Sequence, residues 1–346
     1  KTLVKYLVEY VKGNGHALAS SDYFSTFISN GVSTELCFIA FALLTLFIVF
    51  AGVKNGIERV SKIMMPILVV LSCVITVYSV TRPGALEGVK YFLVPNFKNF
   101  SWMTVVTAMG QMFYSLSIAM GILITFGSYT EKEVSIENST ENVEVFDTAI
   151  AIMAGLMIIP AVFAFSNGNM ENLNAGPSLM FITIPKVFDS MGLGTLIGIL
   201  FFVLVLFAAL TSSIALTECA VSTFQDELGW SRHKSVIILG FIMLVLGSLS
   251  SLGYGPLASI QIIGMQFLDF FDFLTNSVMM PISATCVCLL VSKVIGVDKI
   301  AKEVKSHNNP FKREKIFNFM IKYICPIFAA IILLSSVANA FGIIKM

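Results

Sequence analysis

The sequence predicts an all-α fold built from membrane-spanning helices, and three observations carry that prediction. Of its 346 residues 56% are hydrophobic and 12% are charged, about half the charged share of an ordinary soluble domain. The charges are also segregated. The windows 36–53, 63–81, 104–130, 148–170, 191–217, 235–268, 273–292 and 323–344 contain no Asp, Glu, Lys or Arg. Each is long enough to span a hydrocarbon layer of ~30 Å at about 1.5 Å per helical residue. With a mean hydropathy of +0.86, the composition excludes a soluble enzyme, a nucleic-acid-binding protein and a secreted disulfide scaffold.

The elements follow in order. Residues 1–12 (KTLVKYLVEYVK) read as the end of a helix. The chain opens on Lys1 and shows no signal peptide, so it reads as missing its N-terminus. Residues 13–34 form a polar loop. Spans are expected at about 36–53, 60–81, 104–130, 145–165, 193–220, 235–252, 268–292 and 321–344, in a single transmembrane domain covering 1–346. Window 235–268 is too long for one span and is broken by Gly253-Tyr254-Gly255-Pro256, so a helix ending near 252 precedes a short re-entrant or surface helix. Residues 166–190 are a second polar loop with an amphipathic patch, SLMFITIPKVF. In 130–146, Glu137, Glu141 and Glu144 recur at helical spacing and read as a solvated face. Pro66, Pro160, Pro281 and Pro326 lie inside spans, each removing a helix hydrogen bond and kinking the chain.

Loop charge sets the orientation. Fourteen Lys and Arg fall in 53–62, 130–146, 225–234 and 293–322, against five on the opposite side, which makes those four segments cytoplasmic and the C-terminus external. The six cysteines (Cys37, Cys73, Cys219, Cys286, Cys288, Cys325) lie in or beside apolar windows. Their spacing suits neither a disulfide framework nor a metal site, and they read as small buried hydrophobes. His16, His233 and His307 all fall in loops, so haem or metal ligation by histidine inside the membrane is not expected.

Two windows hold polar groups at mid-depth. The first reads Gly110-Gln111-Met112-Phe113-Tyr114-Ser115-Leu116-Ser117-Ile118-Ala119-Met120-Gly121. Serines two apart do not share a helix face. Either the helix unwinds and its carbonyls and hydroxyls converge, or the serines bond back to their own helix. The second is Ala208-Ala209-Leu210-Thr211-Ser212-Ser213, followed by Glu218. Its consecutive hydroxyls suit hard cations or helix packing. Carboxylates within spans cost about 2.5–3.5 kcal/mol and usually mark function, which singles out Glu218 and Asp147; Asp147 lies near the cytoplasmic rim.

GQMFYSLSIAMG followed by ITFGSY, together with LFAALTSSIALTE, resembles the sixth and eighth helices of the neurotransmitter:sodium symporters. GVKNGIERVSK with Pro66, the loop PGALEGVKYFLVPNF and the span DFFDFLTN agree, in order and over essentially the whole chain. The resemblance implies an inverted-repeat symporter fold of the bacterial, eleven-helix type. It implies a chain running from the end of the third helix to the eleventh, without the first two helices and most of the third, which on its own does not transport.

By the same resemblance Ser115 and Asp147 are ligands of a first sodium site. The Ala208 carbonyl with the Thr211 and Ser212 hydroxyls forms the protein half of a second. Tyr114, Ser115, Ser117, Met120, Ser212 and Leu216 bind substrate, with Tyr114 as an aromatic lid and Ser115-Leu116-Ser117 as the unwound segment. Gln111, Asp226 and Asp272 belong to the gates. Gly56 and Pro66 flank a stretch where the fifth helix unwinds as a hinge. Asp147 replaces the usual Asn and supplies the negative charge that chloride provides elsewhere, so transport is chloride-independent. Ala119 replaces the usual Gly and narrows the pocket against large aromatic substrates.

The function expected is sodium-coupled import of an amino acid, with an apolar side chain, by alternating access in a bacterial plasma membrane. The partners are the substrate, sodium and the lipid bilayer. No cofactor, nucleic acid or obligate protein partner is expected. The alternative is a proton-coupled amino-acid permease of the same fold, which would place a Lys or another titratable group where the second sodium sits. An intramembrane enzyme lacks a catalytic pair.

Overall fold

The computed structural model describes residues 1–20, 22–166, 176–306 and 310–340. The chain forms α1 (Thr2–Val11), α2 (Gly15–Leu18), α3 (Tyr23–Ser29), α4 (Gly31–Phe50), α5 (Arg59–Val80), α6 (Ala85–Leu93), α7 (Trp102–Ser115), α8 (Ile122–Ser128) and α9 (Ile136–Ser166). It continues with α10 (Ile184–Ser190), α11 (Gly194–Leu228), α12 (Arg232–Leu252), α13 (Phe267–Asp272), α14 (Met280–Leu289), α15 (Val297–Val304), α16 (Glu314–Phe319) and α17 (Cys325–Ala340). Among the described residues seven helical stretches are long and apolar enough to cross a membrane: Gly31–Phe50, Val53–Val80, Ile136–Ser166, Gly194–Leu228, Arg232–Leu252, Phe267–Ile295 and Glu314–Asn339. The eighth expected span, 104–130, is instead two helices, α7 and α8, separated by residues 116–121.

Several sequence expectations are corrected. The loop at 13–34 contains α2 and α3, and α4 already starts at Gly31, where the Asn30 side chain accepts the Ser33 N–H at 3.0 Å as a helix N-cap. Between α12 and α13 there is no short helix but turns and a single bridge, Ile262 with Met265. His16 lies in α2 and His233 in the first turn of α12 rather than in loops; His307 and residues 341–344 of the last span lie outside the described residues. All six cysteines are free, but only Cys288 is buried, and Cys73 and Cys286 are exposed.

Nor does the chain unwind between Gly56 and Pro66. A π-helical turn, Val53–Glu58, runs directly into α5, which contains Pro66. Gly56 is required there for space, because a Cβ would lie 2.2 Å from the Ile48 carbonyl oxygen of α4. Two other prolines are reached through wide turns. The π-helical turns Phe273–Met279 and Met320–Ile324 end just before Pro281 and Pro326. A π turn changes the hydrogen-bond register ahead of a residue with no N–H to give.

The chain divides into two compact units, residues 1–96 with 149–268 and residues 97–148 with 269–346. In the first, α11 is the central helix, packed by α1, α4, α5, α10 and α12. Its core is aromatic: Tyr6, Tyr10, Phe188, Phe201 and Phe202 are almost fully buried, and the Tyr6 hydroxyl donates to the Phe181 carbonyl at 2.7 Å. Glycine at 198 lets Tyr10 lie on α11, since a Cβ would approach its ring to 2.4 Å. In the second unit α14 packs on α17, which also meets α7.

Candidate functional site

The second unit holds the break between α7 and α8. A capping box, in which Ser101 and Thr104 each satisfy the other's backbone, starts α7. The regular ladder ends with the Leu116 N–H on the Met112 carbonyl and resumes with the Thr125 N–H on the Gly121 carbonyl. Between them Ser117 (φ 54°), Ala119 (φ 64°) and Gly121 (φ 79°) are left-handed. For Ser and Ala that conformation costs about 1–2 kcal/mol each, so the local sequence does not choose this break unaided. Ser115, placed by the resemblance in the unwound segment, is the last residue of α7, and the break covers 116–121.

Asp147 does not sit on the first turn of a span. Helix α9 begins at Ile136, so the acidic segment and the following window are one helix and Asp147 lies well within it. There the Ser115 hydroxyl donates to Asp147 Oδ1 at 2.7 Å. The fold therefore brings together two oxygen-bearing side chains 32 positions apart, beside a broken helix. That is the donor chemistry a hard monovalent cation takes. Gln111 and Tyr114 on α7 are exposed, whereas Ser117 and Met120 in the break are half-buried. Asp272 is exposed and accepts from Asn276 Nδ2 at 2.6 Å.

In the first unit the hydroxyl cluster sits on an unbroken helix. The Thr211 hydroxyl donates to the Phe207 and Ala208 carbonyls, both at 3.0 Å, and the Ser212 hydroxyl to the Ala208 carbonyl at 3.0 Å. The three groups named for the second sodium site thus already converge, and each hydroxyl oxygen keeps lone pairs for a cation. Ser213 serves packing instead: its hydroxyl pairs with that of Thr45 on α4 at 3.1 Å. Leu216 and Ser212 are exposed on α11. Asp226 is exposed near its end, 3.4 Å from the Ser222 hydroxyl.

Two features escaped the sequence reading. Arg232, counted among loop residues, opens α12 and forms a two-pronged ion pair with Glu218, at 2.6 and 3.0 Å. It also donates to the Val49 carbonyl at the end of α4, at 2.8 and 3.2 Å. Glu218 is fully buried, and a fork-to-fork Arg partner is what makes a buried carboxylate tolerable. The signal was a carboxylate in an uncharged run with an arginine just beyond the Gly229 turn. The second lies on the acidic face of α9, where Glu144 is exposed but Glu137 is not. Glu137 is buried and accepts the backbone N–H groups of Lys312 and Arg313 at 2.9 and 3.0 Å. The Arg313 side chain reaches Glu141 at 3.3 Å and Glu144 at 3.2 Å.

Comparison with known proteins gives the family of the chain. Residues 9–343 match the model of the sodium:neurotransmitter symporter family. The chain is similar to the uncharacterized sodium-dependent transporter YhdH of Bacillus subtilis, 33% identical over 347 residues that cover 99% of this chain and 75% of the relative. An uncharacterized sodium-dependent transporter of Haemophilus influenzae is 31% identical over 299 residues, 86% of this chain and 64% of the relative. Among solved structures, the crystal structure of MhsT in complex with L-phenylalanine matches with a TM-score of 0.83 and 35% sequence identity, covering 96% of this chain and 76% of that one.

Proposed function

For this chain, which belongs to the sodium:neurotransmitter symporter family, we propose sodium-coupled import of an amino acid with an apolar side chain, by alternating access and without a requirement for chloride. The family is one of transporters and not of enzymes, and the chain is a multi-pass membrane protein. In this reading the membrane is the plasma membrane of a bacterium. Ser115 and Asp147 hold the sodium that touches the substrate carboxylate. The Ala208 carbonyl with Thr211 and Ser212 holds the second. Tyr114, Ser117, Met120 and Leu216 line the substrate pocket, with Ser115 and Ser212 also contacting substrate, and Gln111, Asp226 and Asp272 serve the gates.

The observation that carries the reading is the Ser115–Asp147 contact at 2.7 Å. It joins the end of the broken helix to a carboxylate, and a carboxylate beside a bound sodium supplies locally the negative charge that an anion would otherwise bring. The solved relative was crystallised with L-phenylalanine; a methyl group at Ala119 favours a smaller apolar side chain here. The test is uptake of labelled leucine, alanine and phenylalanine into proteoliposomes by the protein expressed from its full coding sequence. Accumulation is expected under an inward sodium gradient, unchanged when gluconate replaces chloride. Accumulation driven by a proton gradient in the absence of sodium, or lost without chloride, overturns the corresponding part of the proposal.

A further inference from the structure

We propose that Glu137 and Arg313 are positioning residues for the sodium site, forming a clasp that sets the rotation and height of α9 so that Asp147 meets Ser115. The inference rests on the reading of Ser115 and Asp147 as sodium ligands. Glu137, Glu141, Glu144 and Asp147 follow one another along α9 at steps of four, three and three residues, so they form one acidic stripe on one side of the helix. The structure gives every member of that stripe a partner. Glu137, only 8% exposed, spends one carboxylate oxygen on the Lys312 N–H and the other on the Arg313 N–H. The Arg313 guanidinium spans Glu141 and Glu144, and Ser115 takes Asp147.

The parts of the clasp differ in strength. The two Arg313 pairs are well exposed, and exposed ion pairs are individually weak. Glu137 is different, because a buried carboxylate using both oxygens on consecutive backbone N–H groups fixes direction as well as distance. Helix α9 runs without interruption from Glu137 through Asp147, and a helix transmits rotation and translation about its axis over ten residues, about 15 Å. Holding the helix at Glu137 therefore holds Asp147. Arg313 adds a second, weaker tie, joining the carboxylates one and two turns before Asp147 to the residues just before α16. The clasp ties the residues just before α16 to the ion-binding turn of α9, within one compact unit.

The experiment is a sodium titration of substrate uptake in proteoliposomes, using protein from the full coding sequence and the variants Glu137→Gln, Arg313→Ala, Arg313→Lys and Asp147→Ala. Glu137→Gln is expected to raise the sodium concentration for half-maximal uptake about fivefold or more, as when an oriented ligand is released, and Arg313→Ala about twofold, since its pairs are exposed. The maximal rate at saturating sodium is expected to stay within about twofold. Arg313→Lys, which keeps the charge without the fork, is expected to fall between. A purely structural role would lower the thermal midpoint and leave half-saturation where it was. That outcome, with Asp147→Ala still shifting sodium dependence, overturns the clasp and leaves the sodium site standing. Unchanged sodium dependence in Asp147→Ala removes the site reading and the clasp with it. Should Glu137→Gln not fold, the pair Glu141→Gln with Glu144→Gln leaves the Glu137 bonds in place and carries the same expectation with a smaller shift.

Discussion

The two proposed sodium sites are built in opposite ways. One is a tertiary contact: Ser115 at the end of α7 meets Asp147 on α9, 32 positions away, beside a break with three left-handed residues. The other is a single turn of α11, in which Thr211 and Ser212 converge on the Ala208 carbonyl through ordinary helix geometry. The α11 part of the proposed local site is in place whenever α11 is helical. The tertiary contact exists only while α7 and α9 are held together, so a sodium ion bound as proposed there would select a conformation. A ligand shifts an equilibrium only by its differential affinity for the two states. The tertiary site is therefore the one at which ion binding can report on, and be altered by, distant parts of the fold.

The largest expected effect breaks the comparison at its rigid end. Glu218 lies two turns beyond Ser212 on α11, fully buried, and Arg232 ties it to α12 and to the end of α4. Arg232→Ala takes the charged partner away from a buried carboxylate, at a cost of about 3–5 kcal/mol. A clear fall in the thermal midpoint of the detergent-solubilised protein is expected. Glu218→Gln with Arg232→Gln, which removes both charges, should recover much of it. An Arg232→Ala protein as stable as wild type would mean that α11 owes its place to packing alone.

The next effect tests the tertiary site directly. Asp147→Ala removes the charged oxygen that Ser115 contacts, and hydrogen bonds or ligation involving a charged group are worth roughly 1.5–3 kcal/mol. Sodium affinity, measured by sodium-dependent substrate binding, is expected to drop by up to about 100-fold. Ser212→Ala should cost less, about five- to tenfold in the same assay, because it deletes one of several neutral oxygens on a turn that stays helical. Equal losses at the two positions would erase the distinction between a local and a tertiary site.

The same distinction explains what was legible in the sequence. Most of the apolar spans and the Ala208–Ser212 cluster depend on residues near each other in the chain, and windows without charge expose them. The break after Ser115 was legible from Ser115-Leu116-Ser117, but its length to Gly121 was not, because Ala119 and Ser117 carry no intrinsic preference for positive φ. The long-range pairs were hidden for another reason. Arg232 and Arg313 read as loop charges, and Glu137 as one more residue of a wet face that Glu141 and Glu144 alone form, because periodicity reports which residues share a side and not what covers it. Gly56 was noticed for its spacing, yet its cause is the approach of α4, with Ile48 against the place a side chain would occupy.

The smallest expected effect concerns Ala119, where the break meets the proposed substrate pocket. Ala119 stands at φ 64°, a conformation glycine adopts freely and alanine only at a cost of about 1 kcal/mol. Strained residues at functional sites persist when the surroundings hold them in place. Here the proposed gain is selectivity, since the methyl group takes up room in the pocket. Ala119→Gly removes strain and bulk together, but it also loosens the unfolded and unwound states, so a change in stability of less than about 1 kcal/mol is expected. The informative readout is the ratio of phenylalanine to alanine uptake, which should rise by about three- to tenfold, the range that a methylene-sized change in an apolar pocket supplies. A ratio that stays fixed would mean that Ala119 shapes the backbone of the break and not the space beside it.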